Sequence, residues 1–498
     1  MPRISKQSRK FSLKRQKGVY KTPYATACHM AELVHPFITE KSKILDPSVG
    51  DAVFIQALID RGVNPSQITA HDIDVEKIQK LHLMGVHAKC TDTLLNDYPL
   101  KDIILGNPPY KSRRESYYMK KHRKELEKKY GFIGLYNLYS LFVVNAIQHL
   151  KNRGILCFII QDTFFTNRYY YRFREFLLNS CKIVEIKLAP WRLFHRSDAD
   201  VRTAIILLEK KHTSSFWESK QLIEDRKHQM RLIDRLSNEK EYKNPPKIQL
   251  VPQIEYRKMP DLKFFVGVPK SIIRLIQNPP ARFGDITKGG TGISTGNDGK
   301  YLRLAEEVQN DSAWVGFYKS GQRTPYFYKT PFFIEKDYQK NAKNDPKNFL
   351  VRNEQFYFRE GITCSSVGRK FSAAYMPPGN LFGVNANFFF DNDEDIFYSL
   401  GFLNSKLVQY LTRKVIHRSN IIATSFLKEI PFIYPSMDQK TEIVTIVKEI
   451  VLYLMKHQNY DFSSKAEKVD EIIFDLYKIS DKIKDEILDF CSNIMDFS

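Results

Sequence analysis

Short apolar runs alternate with amphipathic stretches between about residues 40 and 210. The apolar runs of strand length are KILD (43–46), ITAHDID (68–74), DIILGN (102–107), GILCFII (154–160), IVEIKL (183–188) and TAIILLE (203–209). Apolar residues at three- and four-residue spacing, typical of helices, occupy 52–60, 75–83, 137–150 and 170–179. This alternation predicts an α/β domain with a mostly parallel sheet. Such sheets bind ligands beyond the carboxyl ends of their strands.

The remainder of the chain has a different pattern. Residues 211–260 are polar and charged and are interpreted as a connector. Residues 261–435 carry short strands, aromatic residues and glycines, with a loop-rich stretch at 283–299. That stretch lacks the G-x-x-x-x-G-K-[ST] pattern, which favours a structured loop over a nucleotide-binding P-loop. From Met437 onward, a 3.6-residue apolar period predicts a helical C-terminal region.

Composition and charge narrow the class of partner. The chain has 498 residues, with 77 Lys and Arg against 56 Asp and Glu, and a formal net charge of +21. The length allows two to four domains of the usual ~100–200 residues. The basic excess indicates a polyanion, with nucleic acid favoured over an acidic membrane surface. Residues 1–18 contain basic residues and no acidic one, which is typical of an arm that follows phosphates or of a solvated terminus.

Cysteine usage and hydropathy bear on the compartment. Six cysteines are scattered without a C-x-x-C pair, which argues against a zinc knuckle or a disulfide framework and favours a reducing cytoplasm. No apolar run approaches the roughly 20 residues of a membrane-spanning helix. The first 18 residues lack the apolar segment of a signal peptide. We therefore expect a cytoplasmic protein without membrane association.

The segment DIILGNPPY, 102–110, carries the candidate chemistry. An apolar strand ends at Gly106, and Asn107-Pro108-Pro109-Tyr110 follows. The prolines fix the turn and remove two backbone donors, so the carbonyls of Asn107 and Pro108 should be free to accept. Two fixed acceptors beside an aromatic ring suit a flat substrate with an amino group, whose nitrogen could then attack an electrophile. Two further Asn-Pro-Pro copies, at 244–246 and 278–280, lack the strand and the aromatic residue and are interpreted as turns.

Asn-Pro-Pro-Tyr after a strand resembles the catalytic signature of S-adenosylmethionine-dependent amino-methyltransferases, especially N6-adenine DNA methyltransferases. The order of the motifs is similar to that of the gamma group of restriction–modification enzymes. The resemblance implies a Rossmann-like methyltransferase domain, then a mixed α+β target-recognition domain with a helical C-terminus. The implied boundaries are a basic N-terminal arm at 1–18, a methyltransferase domain at 19–250, a DNA target-recognition domain at 251–436 and a helical region at 437–498.

The resemblance also implies a binding site for S-adenosylmethionine. GVYKTPYATACHMAELV is similar to the cofactor-carboxylate motif, and LDPSVGDAVF (45–54) to the methionine-binding loop. In that loop Ala52 replaces a common glycine, so we expect a backbone angle there that alanine tolerates. Asp72 best matches the ribose-binding acid, with Asp74 as the alternative, and Asp92 matches the acceptor of the adenine amine. The implied cofactor residues are Thr22, Pro23, Asp46, Pro47, Gly50, Asp72, Asp92, Asn107 and Phe142.

The implied catalytic residues are Asn107, Pro108 and Tyr110, and no metal is implied. A stacked adenine must be flipped out of the duplex, which costs a few kcal/mol. Base–aromatic stacking contributes about 1–3 kcal/mol per base. Phe194 lies in a segment that resembles the one from which the family supplies a second ring against the target base. Tyr110 and Phe194 are therefore expected on opposite faces of the flipped base.

Basic residues interleaved with tyrosines follow the catalytic loop at 111–131. They predict a contact with DNA phosphates, and a solvated helix face is the alternative interpretation. The candidates are Lys111, Arg113, Arg114, Lys120 and Lys121. The expected partner is double-stranded DNA, with a cognate restriction endonuclease against which methylation protects, and we expect a monomer.

Three other functions remain open from the sequence. An N4-cytosine DNA methyltransferase usually carries serine in place of Asn107, but its target also has an exocyclic amine. A protein-glutamine methyltransferase shares the Asn-Pro-Pro-Tyr loop, but resembles a shorter chain without a large C-terminal region. A non-catalytic DNA-binding specificity subunit is disfavoured because the loop is intact.

Overall fold

The computed structural model describes residues 20–190, 193–194, 201–212, 217–235, 245–309, 311–319, 324–365, 370–391, 393–416, 422–457 and 459–495. The chain divides into two compact units, Met1–Gly267 and Val268–Ser498. The basic arm interpreted at 1–18 lies outside the described residues. No described helix has both the length and the apolar character that crossing a membrane requires.

The first unit is built on one sheet. Its described strands are β1 (Ile44–Asp46), β2 (Ile68–Asp72), β3 (His87–Cys90), β4 (Lys101–Gly106), β5 (Leu150–Gln161), β6 (Cys181–Leu188), β7 (Thr203–Lys210), β8 (Gln229–Ile233) and β9 (Ile248–Pro252). Their order is β3-β2-β1-β4-β5-β7-β6-β8-β9. Strands β1 to β5 pair in parallel, whereas β7 runs antiparallel to both β5 and β6. The predicted α/β fold with a mostly parallel sheet is therefore confirmed.

Helices follow the strands of this sheet. They are α1 (Tyr24–Val34), α2 (Val53–Ile59), α3 (Val75–His82), α4 (Tyr117–Lys121), α5 (Arg123–Tyr130), α6 (Leu138–Gln148), α7 (Tyr171–Ser180), α8 (Trp217–Lys227) and α9 (Gln253–Arg257). Helix α6 is buried on every side from Leu138 to Ile147, as expected for a helix that is apolar all round. All ten strands and helices predicted between residues 40 and 210 form, with small shifts at their ends.

The connector predicted at 211–260 is wrong in part, because β8 and β9 extend the sheet there. Strand β8 pairs in parallel with β6, and β9 pairs antiparallel with β8. Met230 and Leu232 of β8 are buried while Gln229 and Arg231 are exposed. Two alternating apolar residues in a charged context are too weak a signal to predict a strand.

In the described part of the second unit, short strands form three sheets. The strands are β10 (Ala281–Arg282), β11 (Leu302–Leu304), β12 (Trp314–Tyr318), β13 (Tyr326–Phe327), β14 (Phe332–Glu335), β15 (Gly361–Cys364), β16 (Ala373–Met376), β17 (Leu381–Phe382), β18 (Asn387–Phe388) and β19 (Pro431–Phe432). Their orders are β10-β19, β11-β14-β12-β17 and β13-β16-β15-β18. The glycines of the 283–299 loop allow close packing, since a Cβ on Gly292 would collide with the carbonyl oxygen of Phe382.

Helices are concentrated toward the end of the second unit. They are α10 (Lys270–Gln277), α11 (Asp298–Tyr301), α12 (Ala305–Val308), α13 (Tyr338–Asn344), α14 (Asp393–Asn404), α15 (Lys406–Tyr410), a π-helix (Leu411–Ile416), α16 (Thr424–Leu427), α17 (Met437–Lys456), α18 (Ser463–Leu476) and α19 (Asp481–Met495). The last three confirm the helical region predicted from Met437. Ser436 caps α17 together with Gln439, which fixes where that helix begins.

Candidate active site

A cavity of about 310 Å³ opens beyond the carboxyl ends of β1, β2 and β4. Many of the residues singled out in the sequence line it, namely Pro47, Gly50, Asp72, Asp74, Asp92, Asn107, Pro108, Lys111 and Phe142. Thr22, Pro23, Asp46, Tyr110 and Phe194 are not among its described lining residues. The volume falls at the lower end of the usual range for small-molecule sites, about 300–1,000 Å³.

Asn107 is held by its amide group. Its Nδ2 donates to the carbonyl of Tyr20 at 3.2 Å and to the hydroxyl of Thr22 at 3.0 Å. These two acceptors fix which side of the amide carries nitrogen. Its Oδ1 is buried and has no hydrogen-bond partner among the described residues. A buried acceptor without a partner costs about 1–3 kcal/mol, so a donor ligand at this atom would restore that stability.

The main-chain carbonyl of Asn107 corrects one expectation from the sequence. It is not free, because the Ser48 hydroxyl donates to it at 3.3 Å. The neighbouring loop brings this serine to the end of β4, where Gly106 allows close approach. A Cβ on Gly106 would lie 2.9 Å from Oδ1 of Asp46, closer than real Cβ atoms come to their neighbours. Among the described residues, the acceptor of Asn107 that has no partner is therefore its side-chain oxygen.

Thr22 and Pro23 lie at the start of α1. Thr26 and Ala27 donate their amide N–H groups to the Pro23 carbonyl, at 3.0 and 3.1 Å. Because the Thr22 hydroxyl accepts from Asn107, it supports the catalytic loop in this structure. The sequence pattern locates the helix start, but it does not reveal this hydrogen bond across 85 residues of chain.

Asp46 is fully buried at the end of β1. Its Oδ1 accepts from the Ser48 amide at 3.1 Å, and its Oδ2 has no partner among the described residues. Burial raises the pKa of Asp46 to about 7. Asp46 therefore lies beneath the loop that follows β1 and supports it from inside the fold.

The loop between β1 and α2 contains two residues with left-handed backbone angles. Gly50 has φ +56° and Ala52 has φ +61°. Ala52 therefore adopts the left-handed conformation that glycine favours, an angle that alanine tolerates only at a cost in free energy. A left-handed non-glycine residue costs of order 1–3 kcal/mol and persists only where its surroundings fix it. Here the Ala52 amide donates to the Val49 carbonyl at 2.9 Å, which holds the turn.

The two acids after β2 have different partners. Asp72 accepts from the Gly50 amide at 3.0 Å and from Lys77 Nζ at 3.3 Å, both at its Oδ2. Asp74 caps α3 by accepting from the Glu76 amide at 3.2 Å. Asp72 thus joins the loop after β1 to the strand end, whereas Asp74 has a local role at the start of a helix.

Asp92 also lines the cavity and lies in the loop after β3. Its Oδ1 accepts from the amides of Leu94 and Leu95 at 3.0 and 3.3 Å. The Tyr118 hydroxyl lies within hydrogen-bond distance of both carboxylate oxygens, at 3.0 and 2.9 Å. Tyr118, on α4, is a cavity residue that the sequence reasoning missed. Its only signal was the pair of tyrosines within the basic stretch.

Tyr110 and Phe194, which are expected on opposite faces of a flipped base, are not parallel to each other in this structure. Tyr110 is 3% exposed, and its hydroxyl donates to the Ile159 carbonyl at 2.7 Å. The rings of Tyr110 and Phe194 cross at 75° with centroids 6.2 Å apart. Tyr20, which was also missed, packs its ring 5.3 Å from Tyr110 and 5.6 Å from Phe194. The Tyr20 ring packs against both of the others, and the placement of Tyr110 and Phe194 on opposite faces of a flipped base stays a prediction.

The basic residues after the catalytic loop lie on anchored backbone. Lys111 is half-buried at the cavity, and Arg113, Arg114, Lys120 and Lys121 are exposed. The Arg113 amide donates to the Tyr136 carbonyl at 3.1 Å, and Ser112 forms a β-bridge with Asn137. The segment thus presents positive charge next to the cavity.

Comparisons with known proteins identify relatives of this chain. Residues 100–189 match the family model described as Eco57I restriction-modification methylase. The chain is 24% identical over 332 residues to the adenine-specific methyltransferase PglX of Lacticaseibacillus casei (strain Zhang), covering 61% of this chain and 27% of that protein. It is 31% identical over 199 residues to the type II methyltransferase M.HincII of Haemophilus influenzae, covering 39% of this chain and 37% of that protein.

A solved structure supports the fold. A nuclease-deletion mutant of the Type ISP restriction-modification enzyme LlaGI, in complex with a DNA substrate mimic, matches with a TM-score of 0.55 and 12% identity, covering 87% of this chain and 54% of that one. The chain spans well under half the length of PglX and M.HincII. Together the matches confirm the resemblance to restriction–modification DNA methyltransferases.

Proposed function

We propose that this chain is a site-specific DNA adenine-N6 methyltransferase that uses S-adenosylmethionine. The observation that carries the proposal is the buried Oδ1 of Asn107, which has no partner among the described residues. Its amide is held by two acceptors, and it precedes Pro108 on a rigid turn at the edge of the cavity. An exocyclic amine would supply the missing donors.

The cavity residues fit S-adenosylmethionine by their chemistry. Asp72 offers a carboxylate to ribose hydroxyls beside the Gly50 turn, and Asp92 offers one to the adenine amine. Phe142 adds an aromatic side chain on α6, and Pro47 lines the loop after β1. S-adenosylmethionine would supply the electrophilic methyl group when bound.

Thr22, Pro23 and Asp46 have less direct roles in this proposal. Thr22 holds the Asn107 amide, so it acts on the catalytic loop instead of the cofactor carboxylate. Pro23 ends the segment that leads into α1, and buried Asp46 supports the loop after β1.

The catalytic loop would orient the target amine. Oδ1 of Asn107 and the carbonyl oxygen of Pro108 each accept one hydrogen of the N6 amine. This draws electron density into the nitrogen lone pair and aims it at the methyl group. The new nitrogen–carbon bond would form as the methyl–sulfur bond breaks, with S-adenosylhomocysteine as the leaving group, and the briefly cationic amine would then lose a proton to water. Most of the rate gain comes from positioning, since well-oriented groups lower a barrier by about 7–11 kcal/mol.

The adenine would reach this loop by flipping out of the duplex. The extrusion costs a few kcal/mol. Stacking on Tyr110 would offset about 1–3 kcal/mol of that cost. The Tyr20 ring packs against Tyr110 and Phe194, so an entering base would displace it. The exposed Arg113, Arg114, Lys120 and Lys121 would contact phosphates of double-stranded DNA, and methylation would protect against a cognate endonuclease.

A pair of matched variants tests the proposal. Asn107→Ala removes the buried acceptor, whereas Asn278→Ala alters the same tripeptide at an exposed position of the second unit. Incubation of unmethylated DNA with S-[methyl-³H]-adenosylmethionine should give incorporation with the wild type and Asn278→Ala, and none with Asn107→Ala. Both variants should bind cofactor as the wild type does. Wild-type incorporation retained by Asn107→Ala would contradict the mechanism.

A further inference from the structure

Tyr118 lines the cavity and also makes a hydrogen-bond contact with the carboxylate of Asp92. Its hydroxyl lies within hydrogen-bond distance of both Asp92 oxygens, at 3.0 and 2.9 Å. Its neighbour Tyr117 also lines the cavity, but is 78% exposed and has no hydroxyl hydrogen bond among the described residues. The two adjacent tyrosines therefore differ in their relation to Asp92.

The helices around Tyr118 are fastened to the turn that carries Asp92. The Tyr130 hydroxyl donates to the Leu94 carbonyl at 2.7 Å, and Lys129 Nζ donates to the Leu95 carbonyl at 2.9 Å. Both donors lie on α5, directly after α4. These hydrogen bonds hold α5 against the turn that carries Asp92, and the adjoining α4 brings Tyr118 to the Asp92 carboxylate.

We propose that Tyr118 is a positioning residue that holds the Asp92 carboxylate for recognition of a 6-amino purine in the cofactor. This inference rests on the proposed function and deepens it at the same site. Tyr118 sets how strongly the site prefers an adenine cofactor over one whose purine lacks the amine.

The hydrogen-bond capacity of Asp92 supports this role. Its Oδ1 already accepts from two main-chain amides, which fill its two acceptor positions and leave the single proton of the Tyr118 hydroxyl to Oδ2. Its Oδ2 accepts only from Tyr118 among the described residues. A carboxylate oxygen has two acceptor positions, so one position on Oδ2 is left for an amine. The Tyr118 hydroxyl fixes the rotation of the carboxylate and therefore the direction of that position.

The protonation state of Tyr118 is consistent with a permanent donor. Burial, and after it the charge of Asp92, raise the pKa of Tyr118 above its ordinary value. The phenol therefore keeps its proton throughout the physiological pH range.

The test uses two variants and two ligands. Tyr118→Phe removes only the hydroxyl, and Tyr117→Phe is the matched control. Calorimetry would measure the affinity of the full chain for S-adenosylhomocysteine and for S-inosylhomocysteine, in which an oxo group replaces the amine. Tyr118→Phe should weaken S-adenosylhomocysteine binding about tenfold, the scale of removing a hydrogen bond to a charged group. It should leave S-inosylhomocysteine binding within about twofold, and Tyr117→Phe should change neither.

Each other outcome overturns the inference. Equal losses of affinity for both ligands would indicate a packing role for Tyr118. An unchanged affinity for both ligands would show that the Tyr118 hydroxyl has no role in cofactor binding. Tighter binding of S-adenosylhomocysteine would show that this hydroxyl competes with the purine amine for Asp92. Thermal unfolding of each variant checks that the fold is retained. A wild-type chain that binds neither ligand would instead contradict the proposed function itself.

Discussion

A substitution at Thr22 distinguishes between two roles for this residue, support of the catalytic loop and binding of the cofactor. Its hydroxyl accepts from Asn107 Nδ2 at 3.0 Å, and the second acceptor of that amide is the Tyr20 carbonyl at 3.2 Å. Thr22→Val keeps the shape of the side chain and removes this acceptor. The Asn107 amide then loses one of its two anchors and can rotate away from the productive orientation.

The size of the effect follows from one hydrogen bond. A neutral hydrogen bond contributes about 0.5–1.5 kcal/mol, and a loss of about 1.4 kcal/mol in transition-state stabilisation lowers a rate tenfold. We therefore expect Thr22→Val to lower kcat about tenfold. The dissociation constant for S-adenosylmethionine should stay within about twofold, because the hydroxyl acts on Asn107.

Single-turnover methylation of DNA and calorimetry with S-adenosylhomocysteine would measure the two quantities separately. Thr22→Ser keeps a hydroxyl and should retain most of the activity. The opposite split, with weaker cofactor binding and an unchanged rate of methyl transfer, would refute this role and return Thr22 to the cofactor carboxylate that the family resemblance implies.

Two further predictions concern Asp46 and the basic segment. Burial raises the pKa of Asp46 to about 7 from an ordinary 3.8, so the folded chain holds an extra proton between these pH values and its stability falls as pH rises through that window. Asp46→Asn should flatten this fall in thermal unfolding between pH 4 and 7, and an unchanged pH profile would contradict a buried, protonated Asp46. Lys120→Gln with Lys121→Gln should lower the log–log salt slope of duplex binding by about 0.9 for each phosphate that is no longer neutralised. A slope equal to that of the wild type would exclude both lysines from the DNA interface.

The sequence predicts the interior of the sheet better than its edges. Strands β4 and β5 contain buried apolar runs, because neighbouring strands and helices cover them, and these runs stand out in the sequence. Strand β3 lies at one edge and has no buried residue, and β9 lies at the other edge and has none either. Edge strands need no apolar run, so periodicity cannot reveal them.

Prediction of the candidate site from the sequence is limited in the same way. The motifs bring Gly50, Asp72, Asp92 and Asn107 to one cavity, because each follows a strand of the same sheet. The hydrogen bonds of Tyr20 and Tyr118 were not predictable. They join residues 87 and 26 positions apart through single side-chain or carbonyl oxygens, and no local pattern encodes them.

Methylation of adenine N6 in DNA by this chain can be read out in cells. Single-molecule sequencing of DNA from cells that express the wild type or Asn107→Ala would locate every modified base. We predict N6-methyladenine at one fixed sequence with the wild type and at none with the variant. N4-methylcytosine at a fixed sequence, or the same adenine marks with Asn107→Ala, would contradict the proposed function.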